Sequence, residues 1–312
     1  MNFALPIEGI CSFGKYPICT DTHALDADIA VLGVPSDVGV GFLSGCRLGP
    51  RRIREASTQY GRGDVGFYDP ERDDVYLAAP LKIVDCGDVH LIQGDLDRSL
   101  DNIAEHVRRI AASGAIPAVM GGDHSISIGV GRGLDRFDGL TVIQLDAHLD
   151  WTDSREGQRH GNGSPMRRMS EMNHIGNMVQ VGLRGMGSSG KQDYDDARSY
   201  GSRLITAREF KERRIEEILG QIPDFEHAYV TIDIDVLDIS IASGTGSPMP
   251  GGLDYDQLQL ILEGIAKKGA VVAFDMVEVA PQYDPTNSTT RIAALTMLNF
   301  MAHILKAREI AA

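Results

Sequence analysis

Apolar residues along this chain fall into short uninterrupted runs, separated by longer stretches in which they recur at helical spacing. The runs are DIAVLGVP from Asp28, LKIVDCGD from Leu81, IPAVMGGD from Ile116, LTVIQLDA from Leu140, MVQVGLRG from Met178, AYVTIDID from Ala228 and VVAFDMVE from Val271. Most close on Gly, Asp or Pro, and their lack of polar alternation predicts seven strands buried on both faces. Between them, LDRSLDNIAEHVRRIAASG and LDYDQLQLILEGIAKKG read as amphipathic helices closed by Gly114 and Gly269, the residue expected just past a helix end. The stretch REFKERRIEEILG, residues 208–220, reads as a charged outer helix. Strand and helix alternating over nearly the whole length predict an α/β fold with a parallel sheet covered on both faces. No linker, charge block or internal repeat divides the sequence, so residues 1–312 are expected to form one domain.

Composition adds exclusions. The chain has 312 residues, 43% hydrophobic and 24% charged, with a formal net charge of −14. That charge argues against nucleic-acid partners and anionic membrane surfaces, which need a cationic face, and favours small cationic or neutral ligands. There is no leader pattern at the start and no apolar run of about 18 residues, so a cytoplasmic location is expected. Cys11, Cys19, Cys46 and Cys86 form no CxxC pair and read as free thiols.

The chemistry lies where the apolar runs end, as it does in open parallel sheets. GGDHS supplies His124, DAHLD supplies Asp146, His148 and Asp150 at alternate positions, and TIDIDVLD supplies Asp233 and Asp235. Any one of these has an ordinary explanation as a turn or a helix cap. Four carboxylates entering from two apolar strands do not, because burying them together unpaired costs several kcal/mol per ion. Two divalent cations balance Asp146, Asp150, Asp233 and Asp235, with His124 and His148 giving one neutral nitrogen to each. Loading them changes the formal charge from −14 to −10. Oxygen-rich ligands without thiolate suit Mn²⁺ first, with Ni²⁺ or Co²⁺ as alternatives. A pair of such ions activates water, which predicts metal-assisted hydrolysis with Asp150 also accepting a hydrogen bond from that water.

These motifs resemble, in order and spacing, the three metal-binding signatures of the ureohydrolases, the family of arginase and agmatinase. Further similarity runs through GVPSDVGVGFLSGCRLGPRRIR, VGLRG, GTGSPMPGGL and FDMVEVAP, so it covers nearly the entire chain. The resemblance implies an arginase-type three-layer α/β/α sandwich with a parallel sheet of about eight strands and a manganese pair held by the six residues above. It also implies a homo-oligomer, trimer or hexamer, and hydrolysis of a cationic guanidino substrate to urea and an amine. Agmatine, giving putrescine, is the substrate favoured by resemblance alone. Guanidinobutyrate, guanidinopropionate, guanidine or a biguanide are the alternatives. Glu278 of DMVEVAP matches the family carboxylate that faces the guanidinium, a planar cation suited to paired hydrogen bonds.

Two departures stand out. Relatives read HGTP or HGQP where this chain reads NGSP, which puts Asn162 at the position of the family's proton-shuttle histidine. Asn cannot transfer a proton, and His160, two residues earlier in a glycine-flanked loop, is the candidate replacement. DISIASGTGSP from Asp238 lacks the two prolines that relatives carry, which is expected to loosen or reshape that loop. Trp151, the single tryptophan, is a candidate cation–π wall for the substrate or else a packing anchor. A single-zinc deacetylase on the related fold is disfavoured by the complete set of six ligands. A noncatalytic subunit that keeps its metals for stability is the other alternative, motivated by Asn162.

Overall fold

The computed structural model describes residues 5–311. Among the described residues ten strands occur in chain order: β1 (Ile29–Gly33), β2 (Phe67–Asp69), β3 (Asp74–Tyr76), β4 (Ile83–Asp88), β5 (Ile116–Met120), β6 (Leu140–Leu145), β7 (Ile175–Leu183), β8 (Arg203–Thr206), β9 (His227–Asp233) and β10 (Ala270–Val277). Eight of them form one sheet in the order β4-β1-β5-β10-β9-β6-β7-β8, every pairing parallel. β2 and β3 form a separate antiparallel hairpin.

The continuous apolar runs are explained by burial on both sides. In β6, Ile143 and Leu145 enter one hydrophobic cluster and Leu140 and Val142 the other, as the two-residue strand period requires. The first cluster is covered by the helices Gly49–Ser57, Tyr255–Lys268 and Ser288–Ala311, the second by Leu96–Ala112, Ile126–Gly133 and Lys191–Tyr200. This is the expected three-layer α/β/α sandwich. Among the described residues no helix is long and apolar enough to cross a membrane.

Three local expectations change. The edge strand β8, RLIT, has one fully buried residue and so no apolar run to betray it. Residues 208–220 form two short helices, Ala207–Glu212 and Ile215–Leu219, because Arg213 and Arg214 are both extended, with ψ of 157° and 152°. Their Phe210 and Ile218 are buried in the core, so the segment is not merely a solvated face. Gly114 is left-handed at φ +91°, as a C-terminal glycine should be. Gly269 instead is extended at φ −176°, and its role is close approach: a Cβ there would lie 2.4 Å from the Phe225 carbonyl oxygen.

Candidate metal centre

The four central strands, β5, β10, β9 and β6, are neighbours, and their carboxyl ends converge. β5 leads into GGDH, where Gly122 passes so close to Ser36 that a Cβ would sit 1.6 Å from its carbonyl oxygen; this turn brings His124 inward. β6 delivers Asp146, His148 and Asp150, β9 ends on Asp233 with Asp235 one short turn beyond, and β10 delivers Glu278. Asp150 and Glu278 both have positive φ, +52° and +63°, an unfavourable backbone state at two positions whose side chains are aimed into the site.

His124 Nδ1 lies 2.9 Å from Asp150 Oδ2, 3.1 Å from Asp146 Oδ2 and 3.4 Å from Asp233 Oδ2. His148 Nδ1 lies 3.0 Å from Asp235 Oδ2 and 3.4 Å from Asp146 Oδ1. Two ligand groups result, His124 with Asp146 and Asp233, and His148 with Asp146 and Asp235, the atoms of each within 4.8 Å of one another. Asp146 belongs to both. The donor set fits a cation pair on a specific observation: His124 Nδ1 and Asp235 Oδ2 are buried, and none of the close contacts just described gives either atom a hydrogen bond of acceptable geometry. Buried polar atoms are normally paired, so two orphans facing the two groups mark where positive charge belongs.

Neighbouring side chains fix the ligands. Thr231 Oγ1 lies 2.9 Å from His124 Nε2; a proton on Nε2 donated there leaves the Nδ1 lone pair pointing inward. Gln144 donates to Asp146 at 2.6 Å, the backbone amide of Ala147 to Asp235 at 3.2 Å, and that of Asp235 to Asp233 at 2.8 Å. Arg184 of VGLRG donates to the carbonyls of Asp235, Leu237 and Met249, tying down the loop after β9.

Without metal the cluster must hold protons. Burial, and then Asp146, push Asp150 up to about 7, and burial with Asp235 and Asp146 pushes Asp233 well above the carboxylate range. Burial would lower both imidazoles, but the carboxylates outweigh it and raise His124 and His148 strongly. Because ligands must deprotonate, dication binding is expected to release protons, and affinity to rise with pH as those raised groups lose them and to weaken as pH falls. Calorimetric titration of Mn²⁺ in two buffers of different ionisation enthalpy reads the release; equal heats in both buffers would contradict it.

Glu278 sits beside this cluster, buried. Its Oε1 accepts from the His124 backbone amide at 2.9 Å and from Asn162 Nδ2 at 3.3 Å, and its Oε2 accepts from the Cys46 thiol at 3.1 Å. Asn162 is thus brought into hydrogen-bond contact with Glu278. A cavity of about 460 Å³ opens from these residues, lined by His124, His148, Asp150, Asn162 and Glu278 among others.

Two candidates are not brought to it. His160 faces away: its Nδ1 lies 2.5 Å from Asp97 and its Nε2 3.4 Å from Arg132, and it lines a separate small cavity. Its partners sit at the start of one helix and the end of another, so it pins the loop that carries Asn162. His160→Ala is expected to lower kcat by less than about tenfold, the scale of losing one hydrogen bond. It should leave the pH profile of kcat in place; a lost limb would restore the shuttle role. Trp151 is 1% exposed and packs against Tyr200, ring centroids 5.6 Å apart, so it is a core anchor and no wall of the cavity. The 238–246 loop is not loosened either: Asp238 accepts from the backbone amides of Ser240, Gly251 and Gly252, replacing the restraint of the missing prolines. Cys46, Gln144 and Thr231 were not foreseen, although Gln144 and Thr231 were visible as polar interruptions in apolar strands.

A model of the Arginase family matches residues 27–303. The chain belongs to the arginase family. Guanidino acid hydrolase, mitochondrial, of Homo sapiens is 32% identical over 304 residues, covering 96% of this chain and 84% of that protein. Agmatinase of Bacillus anthracis is 34% identical over 281 residues, covering 88% and 91%. Among solved structures, proclavaminate amidinohydrolase from Streptomyces clavuligerus superposes with a TM-score of 0.87 at 30% identity, covering 97% of this chain and 100% of that one. This arginase-family chain is thus a hydrolase of C–N bonds in amidines.

Proposed function

We propose that the chain converts a guanidino compound and water to urea and a primary amine, with Glu278 holding the guanidinium and His124, Asp146, His148, Asp150, Asp233 and Asp235 holding two divalent ions. The observation that carries this reading is the single cavity in which Glu278 and the two ligand groups meet. The chemistry that such an ion pair supplies when bound is the activation of water at neutral pH. Glu278 has two donors on Oε1 and one on Oε2, which leaves one acceptor site on Oε2 for an N–H of a planar cation, and a second on Oε1 once Asn162, the longest of the three contacts at 3.3 Å, turns aside. Asn162 orients Glu278 and carries no proton, and His160 is turned away. Asp150 is then the group that accepts the water's proton and returns it to the departing nitrogen, so that R–NH–C(NH₂)₂⁺ and H₂O become R–NH₃⁺ and urea. The oxygen-rich donor set supports Mn²⁺, with Ni²⁺ and Co²⁺ behind it. Agmatine is the substrate that resemblance favours, yet the agmatinase at 34% and the guanidino acid hydrolase at 32% are equally near. A cytoplasmic trimer or hexamer is the assembly the resemblance supports.

The test is urea release from a panel of guanidino compounds by metal-loaded protein. Urea and amine in equal amounts are expected from at least one; a metal-loaded chain that yields none from any compound is a binding subunit instead.

A further inference from the structure

The outer wall of the cavity comes from a tight turn whose chemistry differs from that of the acidic floor. Arg155 and Gln158 exchange backbone hydrogen bonds, each 2.9 Å, and such a pair projects both side chains to the same side. Glu156 and Gly157, at φ +51° and +82°, form the tip. Arg155 and Gln158 both line the cavity. Arg155 Nη1 lies 3.3 Å from where a Cβ on Gly41 would be, so its side chain spans the mouth to the 37–45 loop.

Its guanidinium is also unspent. Among the described residues it forms no ion pair and no side-chain hydrogen bond, whereas Arg47 pairs with Asp37, Arg132 with Asp101 and Arg159 with Asp153. Ser188, lining the same cavity, has a buried hydroxyl with no partner. One cavity is thus lined by an unpaired buried hydroxyl and by an exposed guanidinium with no protein partner, two donors that a ligand acceptor could use. The floor, with Glu278, takes a cation; the mouth offers donors.

We infer that the substrate carries a carboxylate at the end away from its guanidinium, and that Arg155, with Ser188, is the specificity-determining residue that binds it. This rests on the amidinohydrolase reading above and selects a guanidino acid over agmatine, whose far end is a second cation. Glu156, at the turn tip, lines the same cavity with the opposite sign. Its repulsion of a carboxylate is weaker than the attraction of a guanidinium able to pair bidentately across the opening.

The experiment measures kcat and KM of Mn²⁺-loaded wild type, Arg155→Gln and Arg155→Glu on 4-guanidinobutyrate, 3-guanidinopropionate, butylguanidine and agmatine. Wild type is expected to favour an acid over butylguanidine, mainly through KM. Arg155→Gln should lower kcat/KM for the acids about tenfold while leaving butylguanidine unchanged, the scale of one partly exposed charged contact. Arg155→Glu should move the preference toward agmatine. Equal losses on acid and neutral substrates, or a wild type that prefers agmatine, would overturn the assignment while leaving the amidinohydrolase intact. No urea from any of the four would overturn the assignment, and no urea from the wider panel of guanidino compounds would overturn the amidinohydrolase reading as well.

Discussion

Asp146→Ala is expected to lose both metal ions and to lower urea release by at least about 10³-fold, since several kcal/mol of charge stabilisation disappear with the ions. The expectation follows from where the two oxygens point. Asp146 Oδ2 faces His124 Nδ1 at 3.1 Å and Oδ1 faces His148 Nδ1 at 3.4 Å, so one side chain serves both ligand groups. Its removal also frees the Gln144 amide, which donates to it at 2.6 Å in a buried setting. Metal analysis of the purified variant beside its kcat checks the claim. A variant that retains two ions per chain with about a tenth of the wild-type turnover or more would remove Asp146 from the shared position.

Glu278→Gln should behave differently. The substitution keeps shape but removes the charge, and it places an amide NH₂ among the His124 amide, the Cys46 thiol and Asn162, all of which donate. Losing one or two charged hydrogen bonds of about 1.5–3 kcal/mol each predicts a fall in kcat/KM of about 10² to 10³. Metal content should stay at the wild-type value, because Glu278 belongs to neither ligand group. A fall in metal content matching the fall in rate would make Glu278 a ligand rather than the substrate's carboxylate.

The sheet was readable wherever both faces are buried, since a strand such as β5, IPAVM, then carries apolar residues on both faces and even β6 departs from that only at Thr141 and Gln144. The same logic exposed the site: Asp146 or Asp233 at the end of such a strand is an anomaly that needs a cation, and four together need two. Beyond that, legibility failed where geometry depends on segments distant in the chain. Cys46 meets Glu278 across 232 residues and His160 meets Asp97 across 63, and no local pattern announces either contact. Trp151 follows the inward Asp150, yet its ring lies in the core against Tyr200 and is not part of the cavity lining. The Asp238 loop shows the reverse case, a lost proline restraint replaced by side-chain hydrogen bonds that composition does not reveal.

The central claim is that the buried carboxylates act as a two-ion hydrolytic centre with Glu278 on the substrate. It is tested most directly by following urea release as chelator-stripped protein is titrated with Mn²⁺, counting ions bound per chain. Turnover that is negligible below one ion per chain and reaches its maximum at two is the predicted result. Full turnover at one ion, or at none, would contradict it.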